Sequence, residues 1–92
     1  MAIGIYFGDS ASFTAKVYDD VVSRLEAAGA GAPAGRLYHV AMESGDLVNV
    51  FDVWDSQESF EAFGATLIPI MAELGAEPAE PMVLPVRNVI EG

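Results

Sequence analysis

The sequence predicts an α+β chain in which four strands and two helices follow the order β-α-β-β-α-β. Three observations carry that prediction. A β-type run opens the chain, a tight-turn signal sits between two apolar runs at its centre, and two stretches with apolar residues every third or fourth position flank that hairpin.

The opening run is "AIGIYF", Ala2 to Phe7, and the turn residues Gly8-Asp9-Ser10 end it. From Ser12 onward Phe13, Val17, Val21 and Leu25 recur at fourfold spacing, Val22 and Ala28 widen the stripe, and Gly29 supplies the stop. This is an amphipathic helix. "GAGAPAG", Gly29 to Gly35, offers no side chain for a core or for catalysis and reads as a connector. Strand two is expected from about Arg36 to Glu43 and strand three from Asp46 to Trp54, with Ser44-Gly45 as the turn. Asp55 or Ser56 can cap the second helix, and Glu58 stands where a capping box with Asp55 needs it. Phe60, Phe63, Leu67, Ile70, Met71 and Leu74 form its apolar stripe. Pro69 predicts either a kink near Gly64 to Leu67 or a new helical segment. "GAEPAEP", Gly75 to Pro81, is a linker, and "MVLPVRNVI", Met82 to Ile90, is strand four, with an edge position or a bulge at Pro85. The order is ferredoxin-like: an antiparallel sheet with both helices on one face.

At 92 residues the chain is expected to be one domain, residues 1–92. A domain of that size buries only about 60–65% of the surface its unfolded chain exposes. Yet 52% of its residues are apolar and only 20% charged, so some apolar surface needs a cover. A second copy of the sheet is the expected cover, making a homodimer. Fourteen acidic against four basic residues give a charge of −10, which repels nucleic acid and anionic membrane surfaces. Cysteine is absent, "MAIGIYFGDS" lacks a basic region ahead of its apolar run, and the expected location is the cytoplasm.

Alternation along strand two groups Leu37, His39 and Ala41 on one face and the more apolar Tyr38, Val40 and Met42 on the other. Pairing Glu43 with Asp46 sets His39 opposite Val50 with Asp52 diagonal to it. On this reading Tyr38, Val40, Met42, Leu47, Phe51 and Val53 form the helix-covered core, with Asn49 at its edge. His39, Asp52 and Trp54 then face the uncovered side, where Arg87 and Tyr6 join them by the same parity. His39 suits a general base near neutral pH, and Asp52 can orient it. Trp54, Tyr6 and Arg87 are the ligand-binding candidates. The plainer readings are a satisfied sheet histidine, a packed tryptophan and an ion pair between subunits. One histidine with scattered carboxylates offers no ligand spacing for a metal, and no phosphate loop or other cofactor signature is present.

The stretches "YHVA" (Tyr38 to Ala41), "VFDVWDSQESFEAF" (Val50 to Phe63) and "PVRNVI" (Pro85 to Ile90) resemble the small dimeric α/β-barrel proteins related to the antibiotic biosynthesis monooxygenases. The resemblance implies that two sheets pack face to face into a barrel, that the last strand reaches onto the neighbour, and that pockets lie between sheet and helices. Relatives read P-V-H-N-V-I where this chain has Arg87. Quinone-forming members use Asn, Trp, Tyr and Arg around a phenol, and haem-degrading members use Asn, His and Trp. Neither set maps residue by residue, since "AIGIYF" has no Asn and neither helix has a His. Three readings therefore stay open: a binder of a small apolar or aromatic molecule, a cofactor-independent monooxygenase acting on a phenol, and an interaction module with no ligand. In the enzyme reading His39 takes the proton, Asp52 orients it, Arg87 or Tyr6 holds a substrate oxygen, and Trp54 stacks on the ring.

Overall fold

The structure, a computed structural model, describes residues 1–8, 10–76 and 80–92. Asp9 of the first turn and residues 77–79 of the linker lie outside the described residues. The elements are β1 (Ile3–Phe7), α1 (Ala15–Ala27), β2 (Arg36–Ser44), β3 (Leu47–Trp54), α2 (Gln57–Glu73) and β4 (Met82–Pro85). They build one antiparallel sheet of order β2-β3-β1-β4. Both helices cover the same side of it, because Val21 and Leu25 of α1 and Phe63 of α2 join Ile3, Ile5 and Trp54 in one buried cluster. This is the predicted ferredoxin-like arrangement.

Each helix starts where a hydroxyl can serve an orphan backbone donor. Thr14 Oγ1 accepts from the N–H of Val17 at 3.3 Å, and Ser56 Oγ accepts from that of Ser59 at 3.2 Å. The first helix thus begins after Phe13, whose carbonyl accepts from the N–H of Val48 at 3.0 Å. Ser56, not Asp55, is the second cap, so Glu58 lies one position short of a reciprocal box. A Ser56→Ala variant is expected to lose about 1 kcal/mol, read from the midpoint of urea unfolding. The second helix continues through Pro69 as one element, with no new segment. Pro69 and Ala65, whose carbonyl loses a partner there, are both exposed, so water can serve the carbonyl.

Three expectations fail for physical reasons. The hairpin closes with Ser44 opposite Leu47, so its turn is Gly45-Asp46 and His39 faces Asp52 directly. Two-residue hairpin turns ask for a positive φ at the first central residue, and Gly45 has φ 61°. The faces are inverted as well: His39, Asp52 and Trp54 lie with Ile3 and Ile5 on the helix-covered side, while Tyr38, Val40, Met42 and Phe51 lie on the open side and are 37–47% exposed. The more apolar face of β2 is the one left uncovered. Finally, β4 lies at the sheet edge and ends at Pro85, whose nitrogen falls on the outer side where no ladder donor is needed, and Arg87 lies beyond the strand. From there the N–H of Val86 bonds to the carbonyl of Ala2 at 2.9 Å, and the chain crosses to the far edge, where the Tyr38 hydroxyl donates to the carboxylate of Glu91.

Candidate functional site

Strand alternation puts Asp52 and Trp54 on the same face of β3, and the hairpin register sets His39 across from Asp52. Asp52 is 3% exposed, and each of its oxygens accepts from one neighbour. Oδ1 lies 2.6 Å from His39 Nδ1, and Oδ2 receives the Trp54 indole N–H at 3.3 Å. On the other side of the imidazole, Nε2 lies 2.7 Å from the Tyr18 hydroxyl, brought down from α1. An ionised carboxylate only accepts, so Nδ1 carries a ring proton, and in the neutral imidazole the Nε2 lone pair receives the Tyr18 O–H. The result is a directed row, Trp54-Asp52-His39-Tyr18. Its members are also held by packing: Trp54 meets Phe63 at 5.2 Å and Phe60 at 5.7 Å, while Phe13 sets its edge against Tyr18 at 6.0 Å.

Burial raises the pKa of Tyr18 above its ordinary value of 10.0; nearby Asp52 and Asp19 push the same way, and the Arg36 guanidinium opposes them. Tyr18 is accordingly a neutral donor near neutral pH. A folded state that holds this proton more tightly than the unfolded chain keeps the full contribution below the ordinary tyrosine pKa and loses it as pH rises through the raised value. Stability of the protein is thus expected to fall above about pH 10, and to fall less steeply in Tyr18→Phe. Urea unfolding at stepped alkaline pH measures both limbs; identical slopes would show that Tyr18 keeps an ordinary pKa.

Tyr18 and His39 lie in the wall of a cavity of about 140 Å³ between the sheet and the helices. Phe7, Val48 and Val50 line it from the sheet side, Phe63, Leu67 and Met71 from α2, and Arg36 adds the one cation among its lining residues. Of the residues singled out in the sequence, His39 and Asp52 come together here. Trp54 is fully buried behind Asp52 and is not part of the cavity wall. Tyr6 sits on the opposite face, paired with Phe51 and Met82, and Arg87 is exposed past the end of β4. Tyr18 and Arg36 were missed. Tyr18 carries a faint signal, since it stands one helical turn before Val22 in the widened stripe; Arg36 carries none. Among the described residues no three His, Cys, Asp or Glu side chains gather as a metal-ligand set, and no helix is long and apolar enough to cross a membrane.

A solved structure from Chloroflexus aurantiacus, assigned as an antibiotic biosynthesis monooxygenase, matches 99% of this chain and 98% of its own at a TM-score of 0.66 and 20% identity. The chain has the fold of the antibiotic biosynthesis monooxygenases. SnoaB from Streptomyces nogalater, described as a cofactor-independent oxygenase, matches 99% of this chain and 95% of its own at a TM-score of 0.61 and 16% identity. A protein of unknown function from Nitrosomonas europaea matches 99% and 94% at a TM-score of 0.52 and 20% identity. Identities this low establish architecture, and one architecture can host unrelated activities. No protein-family model and no curated protein matches the chain.

Proposed function

We propose that this chain, as a homodimer, binds one small aromatic molecule in the cavity between sheet and helices, with a ring hydroxyl hydrogen-bonded to the Tyr18-His39-Asp52 row. One observation carries the reading: a row of polar groups that satisfy one another opens onto a cavity whose other lining side chains, Ser10 and Arg36 apart, are apolar. Its 140 Å³ suits a single ring, since an apolar cavity of about 150 Å³ takes up benzene. The homodimer is supported by the open sheet face, where Val40, Met42, Phe51, Met82 and Leu84 stand exposed together. The absence of cysteine fits a cytoplasmic setting.

A second reading adds chemistry to the same site. His39 is held between a buried carboxylate and a phenol, the arrangement of a general base with its orienting acid. A substrate phenol donating to the Tyr18 oxygen would give up its proton as Tyr18 passes its own to His39 Nε2, and Asp52 would stabilise the imidazolium so formed. The phenolate so formed is the electron-rich species that dioxygen can oxidise, a role in keeping with the description of SnoaB.

Calorimetric titration with phenol separates these readings from an interaction module. The protein is expected to bind phenol, and Tyr18→Phe to weaken that binding about tenfold, the loss of one good hydrogen bond, with its circular dichroism unchanged. No binding by the folded protein would leave the interaction module. Oxygen uptake with a bound phenol, abolished in His39→Ala, would add the enzyme reading; binding without uptake would end it for that substrate.

A further inference from the structure

Regular alternation sends positions 36 and 39 of a strand to opposite faces, yet Arg36 and His39 line the same cavity. The cause is an irregularity at the start of β2. Arg36 pairs with Trp54 and Tyr38 with Val53, which leaves Leu37 as an extra residue between them. A bulge of this kind re-aims a side chain, and here it turns a guanidinium inward. Leu37 is left 54% exposed as a result.

The inward guanidinium is only partly engaged. Arg36 Nη2 donates to the carbonyl of Gly31 at 3.1 Å, and among the described residues no carboxylate lies within 4.0 Å of it. Lys16 and Arg24, by contrast, are paired on the surface with Asp20 and Glu73. A cation at the wall of an apolar cavity, with donors to spare, calls for an anion, and the fork geometry of arginine fits a carboxylate through two parallel bonds. The Tyr18-His39 end of the cavity already serves a hydroxyl. In a chain of charge −10 any preference for an acid has to arise locally.

We propose that the cavity selects a single-ring hydroxyarene carboxylate, with Arg36 gripping the carboxylate while the hydroxyl meets the Tyr18-His39 pair. This rests on the aromatic-binding reading above and names the class of ligand. Arg36 is the specificity-determining residue, and the Leu37 bulge is the device that places it.

Calorimetric titration at low salt with three probes tests the assignment: para-hydroxybenzoate, its neutral methyl ester, and phenol. The acid is expected to bind about tenfold or more tightly than the ester, the discrimination one charge-assisted pair supplies. Arg36→Met should remove that margin and leave ester and phenol binding where they were; Arg36→Lys, charged but without the fork, should keep part of it. An ester that binds the native protein as tightly as the acid overturns the assignment, as does an Arg36→Met change that weakens all three equally. Binding of phenol and ester without preference for the acid removes acid selection and leaves aromatic binding standing. Failure of all three removes both.

Discussion

Trp54→Ala is expected to bring the protein to the edge of unfolding. The ring is 0% exposed, is packed by Phe60 and Phe63, and holds Asp52 Oδ2 through its N–H. Truncating a buried tryptophan costs about 3–5 kcal/mol, and a buried acceptor left without its donor costs about 1–3 kcal/mol more. The sum, about 4–8 kcal/mol, is comparable to the lower part of the roughly 5–15 kcal/mol that stabilises an ordinary domain, where so small a chain is expected to lie. Trp54→Phe isolates the second contribution, because it keeps much of the ring and removes the N–H; about 1–3 kcal/mol should go with it. Urea unfolding followed by circular dichroism measures both. A loss below about 1 kcal/mol in Trp54→Ala would mean that the tryptophan fills space the helices can close without it. If the two variants lose equal amounts, the Asp52 bond carries the effect and the packing does not.

Phe51→Lys is expected to convert the proposed homodimer to monomers. Phe51 lies at the middle of the open face, paired across β3 with Val40 on one side and Tyr6 on the other. Sheet packed on sheet would enclose it, and an ammonium enclosed without a partner costs several kcal/mol. Nothing on the cavity side should change, since the substituted side chain points away from it. Sedimentation velocity reads the assembly, and phenol titration of the same sample reads the cavity. Should Phe51→Lys sediment as the native protein does, with the native protein a dimer, the dimer contact lies elsewhere. A native protein that is itself monomeric at micromolar concentration would set the dimer aside.

Much of the fold was legible because its elements are local matters. The spacing of Val17, Val21 and Leu25 and the alternation around Val40 can be read from one short stretch at a time. What was not legible is the side of the sheet that the helices cover. That follows from the handedness with which the chain crosses from β1 through α1 to β2, and composition does not record it. Here composition misleads, since Tyr38, Val40 and Met42 outdo Leu37, His39 and Ala41 in apolar character and still stay outside. The pairing of Ile3 with Trp54 and of Ile5 with Asp52 would have fixed the faces, but it joins segments far apart in sequence. His39 and Asp52 were recognisable as polar residues in apolar strands. Tyr18 was hidden in a helix whose stripe is fully explained by packing. Arg36 was hidden by a bulge, a break in alternation that no residue in "GRLYHV" announces.

Alternation along β3 gives the site and the open surface separate hereditary tracks within one strand. Val48, Val50 and Asp52 face the cavity, and the residues between them, Asn49 and Phe51, face outward. Because neighbouring positions answer to different surroundings, a lineage carrying this fold can drift toward a new ligand through one set while the other keeps its neighbour, or trade neighbours while keeping its ligand. The bulge at Leu37 is the place where the tracks cross: removing the extra residue would shift Arg36 from one track to the other in a single event. Chains of this architecture that differ by one residue at the start of the second strand should therefore differ in what they bind sooner than in how they fold.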